Sequence, residues 1–88
     1  MHYTYILKSS KNNKYYIGYT SNIEDRLNFH NSGKVASTRP YLPWELFYCE
    51  DFKNERDAIN RERQIKSWKS RKAIERLKIN KIEDLRFS

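Results

Sequence analysis

The 88-residue chain contains two Gly, two Pro and a single Cys, a composition that fits one compact domain and excludes an intramolecular disulfide. Lys and Arg outnumber Asp and Glu by 18 to 11, so the formal net charge is +7 at pH 7. With 15% aromatic residues the chain is too aromatic for a disordered basic tail. Without a recognisable signal peptide, an apolar membrane span or a zinc-ligand pattern, it is expected to be a soluble, cytoplasmic protein with no membrane contact.

The excess positive charge is concentrated in the C-terminal third. Residues 53–81 contain eleven Lys and Arg against four Asp and Glu, whereas residues 1–52 contain six against five. Helical spacing would gather these cations into patches that attract a polyanion such as nucleic acid. A solvated helix face would explain the same charge about equally well.

Two segments rich in aromatic and β-branched residues, 3–7 and 15–20, predict an N-terminal antiparallel β-hairpin with a polar turn between them. The two-residue period of a strand places Tyr16 and Gly18 on one face of the second strand, and Tyr5 on one face of the first. A glycine in mid-strand buries no side chain. Gly18 is therefore expected where a ligand or another part of the chain comes close.

The sequence Ser-Asn-Ile-Glu at residues 21–24 fits a capping box, with its serine as the cap. It predicts a helix that begins at about Asn22 and ends near Gly33. Arg26 and His30 are four residues apart on this helix, so their side chains should project together.

The next segments predict a loop and a third strand. Residues 33–43 combine two prolines with small polar residues, and this loop carries Lys34 and Arg39. Residues 44–52 are rich in aromatic and apolar side chains and predict the strand.

A second long helix, capped by Asn54 and continuing through Trp68, follows from the spacing of Ala58 and Ile65. Glu62 falls on the same apolar stripe. Burying a carboxylate costs several kcal/mol unless it is paired or binds a cation. Either a neighbouring Lys or Arg pairs with a peripheral Glu62, or the carboxylate belongs to a functional site.

Ser70 is a candidate cap for a final helix with Ile74 and Leu77 facing inward. The expected fold class is α/β (α+β): a three-stranded β-sheet, formed by the N-terminal hairpin plus a third strand, flanked by helices. One domain is assigned to residues 1–82, and residues 83–88 are assigned to a short C-terminal tail.

The order of these segments resembles the GIY-YIG endonuclease family, in particular its small members related to the N-terminal domain of the excinuclease C protein. The resemblance covers most of the chain. It depends on the sequences Tyr-Ile-Leu at 5–7, Tyr-Ile-Gly at 16–18, Asp-Arg-Leu at 25–27, His-Asn-Ser-Gly-Lys at 30–34 and Arg-Glu-Arg-Gln-Ile-Lys at 61–66. Two features differ from the family pattern: the first motif reads Tyr-Thr-Tyr, and Tyr19 stands where the excinuclease domain has a lysine.

This resemblance implies the GIY-YIG fold and a metal-dependent endonuclease that hydrolyses DNA phosphodiester bonds. It implies that Glu62 holds Mg²⁺ or Mn²⁺ and that Arg26 contacts the phosphate. Tyr16 is the favoured general base, with His30 as the second choice. Tyr5 would orient the attacking water or Tyr16.

The chemistry needs these groups around one phosphate, so Tyr16, Arg26, His30 and Glu62 are expected on one concave face. Gly18 is expected beneath that site, where it leaves room for the metal or the substrate backbone. Cations outside the site would contact the DNA backbone, which favours recognition of a DNA structure over a long base sequence. The predicted DNA-binding residues are Lys34, Arg39, Lys66, Lys69, Arg71 and Lys72.

A role in DNA repair or recombination, with a possible protein partner for targeting, is the corresponding expectation. Two alternatives stay open at this point. The first is a nucleic-acid-binding domain with the same scaffold and little or no turnover. The second is a protein-interaction adaptor that uses the basic helices, but this alternative gives the inward-facing Glu62 no role.

Overall fold

A computed structural model describes residues 1–87 and confirms the predicted α+β architecture. A hairpin of two strands is followed by a helix, a third strand and two further helices. The elements are β1 (His2–Ser9), β2 (Tyr15–Thr20), α1 (Ile23–Asn31), β3 (Trp44–Phe52), α2 (Glu55–Trp68) and α3 (Arg71–Phe87). The loop before β3 contains a short 3-10 helix, Arg39–Tyr41.

The three strands form one antiparallel sheet in the order β2-β1-β3, so β1 is central. In the hairpin Tyr5 pairs with Gly18, and Leu7 pairs with Tyr16. Directly paired residues of antiparallel strands share a face, so the side chains of Tyr5 and Tyr16 are on the same side of the sheet. The alternation within each strand was predicted from the sequence, and the register of the hairpin adds which faces of the two strands coincide.

The sheet lies between α1 on one face and α2 with α3 on the other. Tyr5 and Leu7 pack with Leu27 of α1. The neighbouring β1 residue, Ile6, points to the opposite face and packs with Ile65 of α2 and Ile74 of α3. Successive strand residues alternate between faces, so β1 supplies both halves of the core.

The first helix begins one residue later than its capping motif predicted. Asn22, not the preceding serine, is the cap, and its side-chain oxygen accepts a 3.0 Å hydrogen bond from the backbone N–H of Asp25. Both residue types cap helices well, and Asn22 has the extended backbone that a cap requires. The helix ends at Asn31, two residues before Gly33, which adopts a φ of +78°.

The later helices begin as predicted. Asn54 accepts a hydrogen bond from the Asp57 backbone at the start of α2, and Ser70 accepts one from Ala73 at the start of α3. The helix α3 runs through Phe87, so residues 83–87, which the sequence analysis placed in a tail, continue that helix. The last tail residue, Ser88, lies outside the described residues. Within the described part of the chain, no helix has the length and apolar character needed to span a bilayer.

Candidate active site

A polar pocket of about 390 Å³ opens where β2 ends. Five residues named from the sequence line it, and they come from three parts of the fold: the β1–β2 hairpin, α1 and α2. The helices α1 and α2 lie on opposite faces of the sheet, yet both reach this pocket. The lining residues named from the sequence are Tyr5, Tyr16, Gly18, Arg26 and Glu62; the others are His2, Tyr19, Thr20, Ser21 and Glu55.

Gly18 makes room for the ring of Tyr5. A Cβ atom added at Gly18 would lie 2.5 Å from the phenol oxygen of Tyr5 and 2.7 Å from its Cζ, distances that real Cβ atoms do not tolerate. A close approach at this glycine was expected. The space is occupied by Tyr5, however, and not held open for a metal or the substrate backbone.

Behind the pocket, Tyr5, His30 and Thr38 form a buried chain of hydrogen bonds. The Tyr5 hydroxyl lies 3.3 Å from Nε2 of His30, and Nδ1 of the same ring lies 3.1 Å from the Thr38 hydroxyl. The three residues are only 1–3% exposed. His30 does not line the pocket; its ring packs 4.7 Å, centroid to centroid, from that of Tyr16. The side chain was predicted near the phosphate, but it supports the two tyrosines from behind.

Burial favours the neutral forms of the two titratable residues in this hydrogen-bond chain, Tyr5 and His30. Desolvation is the main cause that raises the pKa of Tyr5 above its ordinary value, and the neighbouring Tyr16 adds to the shift. Desolvation also lowers the pKa of His30, and the positive charge of Arg26 lowers it further. A neutral imidazole has one donor and one acceptor nitrogen, and the two hydroxyl groups can satisfy both.

Thr38 also belongs to this hydrogen-bond chain, and the sequence did not predict its role. It lies in a polar loop, where one threonine carries no periodic signal. Two contacts with Trp44 fix the loop. The indole N–H of Trp44 donates to the Thr38 carbonyl at 3.0 Å, and Asn31 exchanges hydrogen bonds of 2.7 and 2.9 Å with the Trp44 backbone. The end of α1 and the start of β3 thereby hold Thr38 against His30.

Glu62 lines the pocket and also pairs with a neighbouring lysine. Its side chain is 13% exposed and lines the pocket, and Oε1 lies 3.1 Å from Nζ of Lys66, one helical turn away. The lysine side chain is 54% exposed, so solvent weakens this ion pair. The carboxylate therefore has a partner that a different cation could replace.

The carboxylates of this pocket suit a hard divalent cation. Mg²⁺ prefers oxygen ligands and needs only one or two protein carboxylates when waters and substrate phosphate complete its coordination. Glu62 supplies one carboxylate, and Glu55 lines the same pocket. Among the described residues, no group of three or more His, Cys, Asp and Glu is arranged to hold a metal ion by itself.

A second ion pair anchors α2 beside Glu62. Arg61 donates from Nε and Nη2 to the two carboxylate oxygens of Glu50 on β3, at 2.9 and 3.0 Å. Such a two-point contact fixes direction as well as distance. It therefore limits rotation of the helix that carries Glu62 to the pocket.

The six cations predicted to bind DNA are all exposed and lie outside the pocket lining. Two are engaged with other groups: Lys66 pairs with Glu62, and Arg71 donates to the Asn13 carbonyl at 2.7 Å. Lys69 forms the turn between α2 and α3 with a φ of +49°. The other three are Lys34 after α1, Arg39 in the 3-10 helix and Lys72 in α3.

Comparison with known proteins gives one consistent family. A sequence profile described as the GIY-YIG catalytic domain matches residues 1–77. A UPF0213 protein of Bacillus pumilus is 42% identical over 84 residues, covering 91% of this chain and 85% of that protein. One of Bacillus licheniformis is 47% identical over 76 residues, covering 85% and 76%. The solution NMR structure of the UPF0213 protein BH0048 from Bacillus halodurans is 32% identical, with a TM-score of 0.54, covering 86% of this chain and 80% of that one.

Replacing Gly18 with alanine should displace the Tyr5 ring. We expect Gly18→Ala to lower the free energy of unfolding by about 1–3 kcal/mol, the usual cost of overpacking. In a Tyr5→Leu background the same change should cost less, because the ring that it strikes is gone. Urea unfolding of the two single variants and the double variant measures this. Equal costs in both backgrounds would contradict the contact.

The pH dependence of stability should report the burial of His30. Its pKa is lower in the folded chain than the ordinary 6.5, so the unfolded chain binds the proton more readily as pH falls. The free energy of unfolding should therefore be greatest above pH 6.5 and decline between about pH 7 and about pH 5. His30→Gln should flatten this decline, while His2→Gln controls for the loss of an imidazole elsewhere. The readout is urea unfolding across this range, and an unchanged slope in His30→Gln would refute the assignment.

Proposed function

The chain belongs to the GIY-YIG catalytic domain family, and from this premise we propose that it is a metal-dependent endonuclease that hydrolyses DNA phosphodiester bonds. One observation carries the proposal: Tyr16, Arg26 and Glu62 line a single pocket. Phosphodiester hydrolysis needs a proton acceptor for the attacking water, stabilisation of charge on the phosphate and neutralisation of the leaving oxygen. The pocket offers a candidate for each.

Arg26 is the candidate for phosphate binding. Its guanidinium presents several N–H donors in a rigid fork, a geometry that matches phosphate oxygens. The side chain is exposed on α1 and lines the pocket from that side. Stabilisation of this kind commonly contributes on the order of 10² to 10³ in rate.

Tyr16 is the preferred proton acceptor. The raised pKa of Tyr5 keeps its phenol protonated, which suits it to orient a water or Tyr16 by hydrogen bonding. His30 is buried behind the two rings; it contacts the pocket lining through a hydrogen bond to Tyr5 and through packing on Tyr16. These placements favour Tyr16 over His30, which keeps an indirect role.

Glu62 would hold the metal, and Glu55, which lines the same pocket, is a candidate for a second carboxylate. Bound Mg²⁺ or Mn²⁺ supplies a Lewis acid for the phosphate and the leaving oxygen. The chain's own part is to hold the carboxylate in position. The Arg61–Glu50 contact aims it, and Lys66 offsets its charge.

The cations outside the pocket support binding to the DNA backbone, which would direct the enzyme to a DNA structure such as a flap, branch or nick. Repair or recombination of DNA in the cytoplasm fits such an activity, with a protein partner as one means of targeting. A second candidate function is DNA binding without turnover. The Glu62–Lys66 ion pair favours this second candidate, because it also gives the carboxylate a purely structural role.

Glu62→Gln should separate the two candidates. The substitution keeps the shape of the side chain and removes the charge that holds a metal, so single-turnover cleavage should fall at least about 10²-fold while DNA binding persists. Lys66→Met is the matched control, because it breaks the same ion pair and leaves the carboxylate. At saturating DNA with Mg²⁺ it should still cleave.

Thermal unfolding of both variants completes this comparison. If Glu62 were only a salt-bridge partner, Glu62→Gln and Lys66→Met would lose similar stability and would cleave in proportion to their folded fraction. Near-normal cleavage by folded Glu62→Gln protein would therefore refute the metal role. No cleavage by the wild-type protein on a panel of branched and linear DNAs with Mg²⁺ or Mn²⁺ would favour the binding function.

The turn between α2 and α3 should contribute to affinity without reading sequence. Reversing Lys69 and Lys72 to Glu should weaken binding to all DNA sequences to a similar degree. The salt dependence should also become shallower, by roughly 0.9 in log–log slope for each phosphate that the variant no longer neutralises. The Lys69→Arg, Lys72→Arg variant retains both charges and should bind as the wild type does. Fluorescence anisotropy at several salt concentrations measures both effects, and weaker binding confined to particular sequences would contradict backbone recognition.

A further inference from the structure

A second pocket, of about 450 Å³, adjoins the candidate active site. The two share Thr20, Ser21 and Arg26, so the guanidinium stands on their common wall. The remaining lining comes from Asn22, Asp25 and Phe29 of the first helix and its cap. A ligand held by Arg26 in the first pocket can therefore extend directly into the second.

Phe29 gives this second pocket an aromatic wall. Its side chain is 42% exposed, although the other aromatic neighbours of His30 pack into the core. The Arg26 guanidinium carbon lies 5.7 Å from the centre of the Phe29 ring. A flat apolar ring exposed beside a phosphate-binding guanidinium is a combination that suits one nucleotide, with its phosphate on Arg26 and its base on the ring.

The charge of the second pocket also favours a base over another phosphate. Asp25 contributes a carboxylate to the lining, which repels phosphate oxygens, and Arg26 is the single cation that the two pockets share. The Ser21 hydroxyl adds hydrogen-bonding capacity without charge, whereas the Thr20 hydroxyl is already bonded to the backbone of Asn22. The pocket is shallow and open to solvent, and its volume is comparable with that of small-ligand sites.

We infer that this second pocket binds the nucleobase next to the scissile phosphate, stacked on Phe29. The inference rests on the proposed nuclease function and explains how a domain without a base-reading module would select a DNA structure. A base inside a duplex must be unstacked and unpaired at a cost of a few kcal/mol, whereas a base in a flap, gap or frayed end is already free. Substrates with an unpaired nucleotide at the cut are therefore preferred.

A double-mutant cycle between protein and DNA tests the stacking contact. Wild-type and Phe29→Ala proteins are assayed on a flap substrate. Each of the two nucleotides that flank the mapped cut carries, in turn, either its normal base or an abasic site. At one of the two flanking positions, removal of the base should lower wild-type kcat/KM roughly 5- to 150-fold, the range expected from removing one stacked base. Phe29→Ala should lose a similar factor on normal DNA and should be insensitive to the abasic site.

Two control variants make the cycle specific. Phe29→Trp retains an aromatic surface and should restore both activity and sensitivity to the abasic site. Leu46→Ala removes a similarly exposed apolar side chain from β3, 40% exposed and outside both pockets; it should behave as the wild type does. The inference would be overturned if Phe29→Ala lost as much kcat/KM on removal of the base as the wild type does. In that case the losses from the protein change and from the DNA change would be independent of each other.

A binding measurement separates failure of this inference from failure of the nuclease function. Short single strands carrying 2-aminopurine at each position in turn are titrated with protein in EDTA, where no cleavage occurs. Stacking on Phe29 should quench the fluorescence at one position, and Phe29→Ala should abolish that quenching. Phe29-dependent quenching without cleavage under any metal condition would contradict the nuclease proposal and leave the base pocket standing. Cleavage without Phe29-dependent quenching would contradict the base pocket and leave the nuclease proposal standing.

Discussion

The contact between Tyr5 and Gly18 determines how the rest of the pocket can be arranged. Pairing in the hairpin sets the two residues opposite each other, and the missing side chain at Gly18 lets the phenol lie across β2. The hydroxyl is thereby brought within 3.3 Å of His30. Any side chain at position 18 would push the ring away, and the hydrogen-bond chain to Thr38 would lose its first member. A strand register and one absent Cβ thus control the polar interior behind the pocket.

The polar groups in the pocket and behind it are divided by depth: the buried ones are neutral, and the charged ones line the opening. The buried members, Tyr5, His30 and Thr38, are neutral and satisfy one another, as the cost of an unpaired group in a low-dielectric interior requires. The charged members, Arg26 and Glu62, line the pocket itself, with Arg26 exposed and Glu62 half-buried. A phosphate that entered this pocket would meet fixed neutral donors and acceptors below and charges around it, an arrangement that needs little reorganisation.

Sequence alone predicted the features that depend on a local period. Alternation in residues 3–7 and 15–20 predicted the hairpin. The apolar spacing of α2 showed that Glu62 is an unusual carboxylate on an apolar stripe, and the structure places it in the pocket lining. Thr38 and Phe29 could not be found in this way. Thr38 acquires its role only when Trp44 and Asn31 fold the loop back over α1, and the relevance of Phe29 depends on a pocket that crosses two elements. Contacts distant in sequence leave no periodic signal.

The position of Glu62 shows why the structural and catalytic interpretations of a half-buried carboxylate do not exclude each other. The helix α2 packs through Ile65 against the face of the sheet opposite to α1, so Glu62 must reach the pocket past the end of β2. There it needs a nearby positive charge, because desolvation of an unpaired carboxylate is costly. The largely exposed ammonium of Lys66 provides that charge, but solvent screening and the entropy cost of ordering the lysine side chain leave little net gain in stability. A partner so weakly held offsets the charge of the carboxylate in the folded chain and yet leaves that carboxylate free to take another cation, as the proposed function requires.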